Sequence, residues 1–209
     1  MDRSTRFWDR TAERYAKSPI RDEASYRERL ERTREYLRPD MEVLELGCGT
    51  GTVALEHAPH VKHVHGVDLS SKMIEIARRK AAEAGASNVT FARSSVEELA
   101  DDRRFHAVLA LNVLHLVVDR DAVLKKALGM LEPGGVFVSN TACLGDRMRF
   151  LALVAPLGRM LGLLPRVAVF TRAELETSLV AAGFEILDRW SPDKGPSFFV
   201  VARKPASAQ

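Results

Sequence analysis

The stretch Val43 to Ala58, VLELGCGTGTVALEHA, runs from an apolar segment through three glycines in five positions and back into an apolar pattern. Two ordered elements are joined by so bare a backbone where a side chain would block an approach or forbid the dihedrals. A strand that turns on glycines into a helix also aims several backbone N–H groups, and the positive end of the helix, at one point. That junction is a seat for a ligand, and it restricts the fold to strand, turn and helix in that order.

The rest of the chain repeats the theme. From Met41 onward short apolar runs alternate with amphipathic stretches of roughly ten to fifteen residues, the pattern of βαβ units on a parallel sheet. Strands are expected at 42–46, 62–68, 88–92, 105–111, 134–140, 184–189 and 197–203. Helices are expected near 52–58, 71–84, 95–100, 120–131 and 171–182. Ser70-Ser71 is a helix cap, Gly85 and Gly183 follow helix ends, and Thr171-Arg-Ala-Glu174 spells a capping box. The last two strands are joined through a loop with Pro192 and Pro196, so one of them enters antiparallel. Ahead of this core, residues 2–38 carry Phe7, Trp8, Tyr15, Tyr26, Leu30, Tyr36 and Leu37 at helical spacing among charges, which predicts two helices broken near Ser18-Pro19.

One domain of 209 residues accommodates all of this, with 46% hydrophobic and 28% charged residues. Thirty-one basic residues against 28 acidic ones leave a formal net charge of +3. No basic stripe stands out along the sequence, which argues against a nucleic-acid surface. The two cysteines, Cys48 and Cys143, form no CxxC, and the first twenty residues have no apolar signal-peptide core, so the expected location is a reducing cytoplasm. The most apolar tract, Phe150 to Phe170, is broken by Pro156, Arg159, Pro165 and Arg166, whereas a spanning helix needs about 20 nearly uninterrupted apolar residues.

The ligand is narrowed by two acids. The glycine spacing is GxGxG and not the GxGxxG of a dinucleotide loop. Glu45, just ahead of Gly47, Gly49 and Gly51, would repel a pyrophosphate but suits a ligand bearing an ammonium group. Asp68 ends the second strand in GVDLS, where a carboxylate accepts hydrogen bonds from ribose hydroxyls; the alternative is a plain helix N-cap. Loop and acids together describe a nucleoside with a cation and no diphosphate.

In order along the chain, VLELGCGTG, GVDLS, FHAVLALNVLHLV and LEPGGVFV resemble the motifs of the class I S-adenosylmethionine-dependent methyltransferases, in the ubiquinone/menaquinone methyltransferase-like (type 11) branch. The closing FTRAELETSLVAAGFEIL and PSFFVVARKP resemble that family's last helix and strand hairpin. The resemblance implies an α/β, Rossmann-like, seven-stranded, mostly parallel sheet with the last strand antiparallel, helices on both faces and an N-terminal helical cap. It implies S-adenosyl-L-methionine as cofactor and one methyltransferase domain: cap 1–40, cofactor-binding core 41–143, apolar lid insert 144–170, closing helix and hairpin 171–203. By position, Glu45 and the loop Gly47, Cys48, Gly49 and Gly51 hold the methionine portion and Asp68 the ribose. Leu69 and Met73 wall the adenine, and the backbone of Asn112 meets the amino acid end. Ser95, beside Val96, stands where the family often has an Asp facing the adenine amino group; a serine hydroxyl accepts one hydrogen bond there. Tyr15 resembles an N-terminal tyrosine that closes over the cofactor.

The acceptor side is less constrained. His115 follows the fourth strand next to Asn112, where it is either a general base or substrate ligand, or an anchor for its own loop. His57, His60, His63 and His65 crowd one region, but at the far end of the second strand, so a structural or solvated role is favoured over a metal site. The insert MRFLALVAPLGRMLGLLPRVAVF is either a helical lid packed on the core, or the lining of an apolar pocket that touches a bilayer through 150–170. The expected activity is methyl transfer to a small, lipophilic molecule. A quinone precursor or phospholipid acceptor, or a silent cofactor-binding protein, are the alternatives. A nucleic-acid methyltransferase is disfavoured because NVLHL stands where an Asn/Asp-Pro-Pro-aromatic motif would be. The loop spacing and Glu45 disfavour an NAD-dependent oxidoreductase.

Overall fold

A computed structural model describes residues 3–20, 22–100, 102–146, 148, 166–193 and 195–206. Seven strands form one sheet: β1 Glu42–Leu46, β2 His63–Asp68, β3 Val89–Arg93, β4 Phe105–Leu111, β5 Leu131–Ala142, β6 Glu185–Trp190 and β7 Ser197–Arg203. Their spatial order is β3-β2-β1-β4-β5-β7-β6, and β7 alone runs antiparallel to its neighbours. The order reverses between β1 and β4, and in open α/β sheets the crevice outside that switch point is where ligands bind.

The central strands are apolar on both faces, as parallel strands covered on both sides must be. Leu44, Leu46, Val108, Ala110 and Phe137 face α5 (Arg120–Met130) and α6 (Arg172–Ala182), whose Leu124 and Leu175 are fully buried. Val43, Ala107, Leu109 and Val138 face α3 (Thr52–His57) and α4 (Ser71–Glu83). Two further helices precede the sheet. Helix α1 (Arg3–Ala16) lays Trp8, Ala12 and Ala16 on Met73 and Ile76 of α4. Helix α2 (Glu23–Arg34) reaches the opposite edge, where Arg32 bonds Asp188 at 3.1 Å and lies over the Trp190 ring.

Most element signals form as read. Ser70 caps α4 by accepting from the Met73 N–H, and Thr171 with Glu174 closes a capping box ahead of α6. Gly183 ends α6 at φ 104°. Two expectations are corrected. No helix forms at 95–100: Ser95 Oγ accepts from the Glu98 N–H and Glu98 Oε2 from the Ser95 N–H, so the capping box closes at 3.1 and 3.0 Å, but only turns follow it. Strand β5 begins at Leu131, before Gly134, because Gly134 N–H donates to the Lys204 carbonyl and Lys204 N–H to that of Gly135, while the register with β4 shifts by a bulge. Of the insert, only 144–146, 148 and 166–170 fall among the described residues, so the lid or bilayer reading of 150–165 lies outside them. Among the described residues no helix is long and apolar enough to cross a membrane.

The crowded histidines sit away from the switch point. His63 and His65 stack at 4.2 Å and bond Thr90 and Glu42. His57 is fully buried and neither ring nitrogen has a partner among the described residues; burial, helped by Arg34 and His60, pulls its pKa down to about 3. An unfolded histidine protonates near 6.5, so the native state loses stability as pH falls from there toward 3, by at most about 1.4 kcal/mol per pH unit. His57→Leu should flatten this part of the acid limb in denaturant melts between pH 7 and 4. An unchanged limb would mean that the ring charges without opening the core.

Candidate active site

Leaving β1, the chain turns on Gly47, Gly49 and Gly51, whose φ values are +67°, +52° and +73°. Two of these glycines are also forced by space. A Cβ on Gly47 would lie 2.5 Å from Val113 Cγ2, and one on Gly51 would lie 2.8 Å from Phe91 and 2.9 Å from Ala77. At Gly49 the same Cβ would meet nothing within 4 Å. The middle of the loop therefore faces open space, which is how a loop looks when a ligand and not the protein is its neighbour.

Asp68 holds that loop from the end of β2. Its Oδ2 accepts from the Gly49 N–H at 3.0 Å and its Oδ1 from the Ser70 N–H at 2.8 Å, while the cap of α4 is Ser70 and not Asp68. Burial, and Asp9 nearby, push its pKa up against those two donors. Sequence reading missed Asp9. From α1 its Oδ1 accepts from Ser70 Oγ at 2.6 Å and from the Lys72 N–H at 3.2 Å, which latches α1 onto the start of α4 beside the loop.

Glu45 lies under the loop on the α3 face of β1, with 2% of its surface exposed. Helix α3 has Gly51 as its N-cap and so lacks a capping side chain. The Glu45 carboxylate takes over that role for the Ala54 N–H. Its Oε2 is buried without a partner among the described residues. Burial, and then Asp68, raise its pKa to about 8. A buried acid next to a second acid is short of positive charge, so these residues fit a cofactor that brings a cation.

A cavity of about 400 Å³ opens at this edge. Of the expected cofactor residues, Gly47, Gly49, Asp68, Leu69, Met73, Ser95, Val96 and Asn112 line it, and so does Tyr15 of α1. Asn112 is the one described non-glycine residue with positive φ, 61°. It is held so by its N–H on the Asn140 carbonyl, and by Asn140 Nδ2 donating to its Oδ1, both at 2.7 Å. The Tyr15 phenol stays neutral, its pKa raised by burial and by Asp68 and Glu45.

Four expected residues are not on the wall, Glu45 beneath the loop among them. Cys48 is buried behind the loop, its thiol pushed up by burial, and Gly51 packs against Phe91. The His115 ring is buried with Nδ1 unpartnered among the described residues, its pKa lowered to about 4 by burial, while its carbonyl accepts the Ala168 N–H at 2.7 Å. Trp8, Leu116, Val117 and Val118 also line the cavity, and Arg166 joins them by donating to the Val117 and Val118 carbonyls. Their sequence signal was weak because they come from a helix and a loop outside the glycine motif.

Residues 43–135 match the family described as Methyltransferase domain. A ubiquinone biosynthesis O-methyltransferase of Methylobacterium nodulans is 30% identical over 80% of this chain and 74% of its own length. The protein of the same name from Sinorhizobium medicae is 31% identical over 94% of this chain and 81% of its length. The chain belongs to the class I S-adenosylmethionine-dependent methyltransferases. Its fold is shared with the structure of a DhpI–SAH complex, at a TM-score of 0.75 and 23% identity over 97% of this chain and 96% of that one. S-adenosyl-L-methionine is therefore the cofactor of this methyltransferase.

A pKa of about 8 in the folded chain against about 4.5 for an ordinary glutamate means that the ligand-free fold keeps a proton the unfolded chain releases. Stability should thus fall as pH rises between roughly 5 and 8. In Glu45→Gln that fall should shrink, with chemical denaturation at pH 5, 6.5 and 8 as the measurement. Equal pH slopes in both proteins would place the titrating group elsewhere.

Proposed function

We propose that this methyltransferase transfers its methyl group to a small, lipophilic acceptor, with a hydroxyl as the favoured nucleophile. The observation that carries the reading is the apolar part of the cavity lining, to which Trp8, Leu116, Val117 and Val118 contribute alongside the expected cofactor residues. The two relatives named as ubiquinone biosynthesis O-methyltransferases support the same class of acceptor. The apolar sequence of 150–170 agrees with it.

Each residue then has a part. When bound, S-adenosyl-L-methionine would supply a methyl group on a cationic sulfur: the acceptor oxygen's lone pair forms the new bond, sulfur keeps the pair of the bond that breaks, and the hydroxyl proton passes to water. Asp68, fixed by two backbone donors, turns its remaining lone pairs to the ribose hydroxyls. Glu45, working from beneath the Gly47–Gly51 loop, gives the site a field that favours the amino acid's ammonium. The strained backbone of Asn112 presents its polar groups to that same end. Leu69, Met73 and Val96 would wall the adenine, with Ser95 available to accept one hydrogen bond from it.

His115 is an anchor in this scheme and not a base. Its neutral ring is tucked behind the wall and its carbonyl pins Ala168. Catalysis rests on holding the nucleophile against the methyl carbon in the apolar part of the cavity, since alignment alone is worth several kcal/mol of barrier.

Lipophilic phenols, quinols, thiols and amines should be compared by release of S-adenosylhomocysteine, with turnover expected on phenols or quinols. Turnover confined to small polar acceptors would refute the lipophilic reading. In calorimetry Asp68→Ala should weaken S-adenosylmethionine more than about tenfold, roughly 1.4 kcal/mol, with the circular dichroism unchanged. An unaltered affinity would take Asp68 out of the ribose role.

A further inference from the structure

Among the described residues the cavity lining holds one cation, Arg166. The other ionisable groups of the lining are Asp68, Glu97 and Tyr15, and Asp68 is held by the Gly49 and Ser70 N–H groups. No carboxylate among the described residues pairs with Arg166. Its bonds run to two backbone carbonyls of the loop after β4, from Nε to Val117 and from Nη2 to Val118, each at 3.3 Å. Leu116, Val117 and Val118 of that loop line the cavity with it.

These two bonds decide which edge of the guanidinium is left over. The Nε–H and one Nη2–H lie side by side, and both are spent on the loop. The other Nη2–H and the two on Nη1 remain, and they include the parallel pair at the tip with which arginine grips a carboxylate at two points. A half-buried guanidinium beside leucine and valine, with no counter-ion, is expensive to keep in place. Fastening the loop does not require it. The Ala168 N–H already bonds the His115 carbonyl at 2.7 Å, and a neutral amide also donates to carbonyls. What a neutral side chain would lack is the charge and the fork.

We propose that Arg166 selects an acceptor that carries a carboxylate on its lipophilic body, apart from the hydroxyl that is methylated, and binds that carboxylate through the tip of its guanidinium. The inference rests on the reading of the cavity as a site for a lipophilic hydroxyl acceptor, and narrows that class to lipophilic acids. Arg166 is a specificity residue in this scheme: it takes up no proton and meets the acceptor away from the methyl carbon.

Four acceptors separate the two readings: a catechol, the same catechol with a ring carboxylate, and each of these with a long alkyl chain. The parent should favour the carboxylated members by more than about tenfold in kcat/KM, with most of the difference in KM. In Arg166→Gln the preference should vanish, kcat/KM falling more than about tenfold on the carboxylated members and staying within about twofold on the neutral ones. Arg166→Lys keeps the charge and loses the fork, and should fall between the two. Calorimetric affinity for S-adenosylmethionine should be the same in all three proteins, which shows an intact fold. An arginine that only fastens the loop would, on removal, depress both members of each pair alike. That result would overturn the proposal, as would a parent indifferent to the carboxylate, or turnover of none of the four. A carboxylate preference with no advantage for the alkyl chain would leave the anion site standing and remove the lipophilic reading. A chain advantage with no carboxylate preference would do the reverse.

Discussion

A carboxylate in the middle of a parallel sheet has to find partners or give up its charge. Glu45 does some of each. It takes up one of the orphan N–H groups at the start of α3, which Gly51 leaves uncapped, and keeps its second oxygen empty. A hydrophobic residue would fill the same volume at lower cost, since a desolvated acid without a counter-charge is among the most expensive things a core can hold. The cost is offset once a cation arrives above the loop. The glycines, Asp68 and the cavity are all arranged about that requirement.

The loop between the two acids has little freedom. Gly47 is pressed by Val113 and Gly51 by Phe91 and Ala77, so both ends are fixed by packing while Gly49 faces the ligand. Asp68 ties Gly49 to the end of β2, and the Cys48 N–H bonds the Val67 carbonyl of the same strand at 3.0 Å, so both bonds hang the loop on β2. Such pre-organisation keeps N–H groups aimed before binding and reduces the entropy lost when the ligand arrives. The N-terminal helix then roofs the site through Asp9 and Trp8.

Much of this was legible because local and global signals agree. Mostly apolar runs become the buried strands β1, β4 and β7, with Glu45 as the one buried acid inside β1, and the Ser70 and Thr171 caps start helices where they stand. Ser95 misled for a physical reason: its reciprocal bonds with Glu98 satisfy the cap, yet the box does not pull the residues after it into a helix. The backbone of Asn112 at φ 61° was not readable, since it is imposed from β5 by Asn140. Nor was the latch by Asp9, which depends on a helix crossing 61 residues away in sequence. His115, close to Asn112 in the chain, is absent from the cavity lining, and burial lowers its pKa to about 4.

The central claim is that Glu45 is protonated in the ligand-free fold and ionises when the cofactor's cation is seated. Calorimetric titration of S-adenosylhomocysteine, whose ammonium is that of the cofactor, at pH 7 in buffers of different ionisation enthalpy counts the protons exchanged on binding. The account predicts release of close to one proton by the parent chain and far less by Glu45→Gln. Equal release by both proteins, or none by the parent, would contradict it.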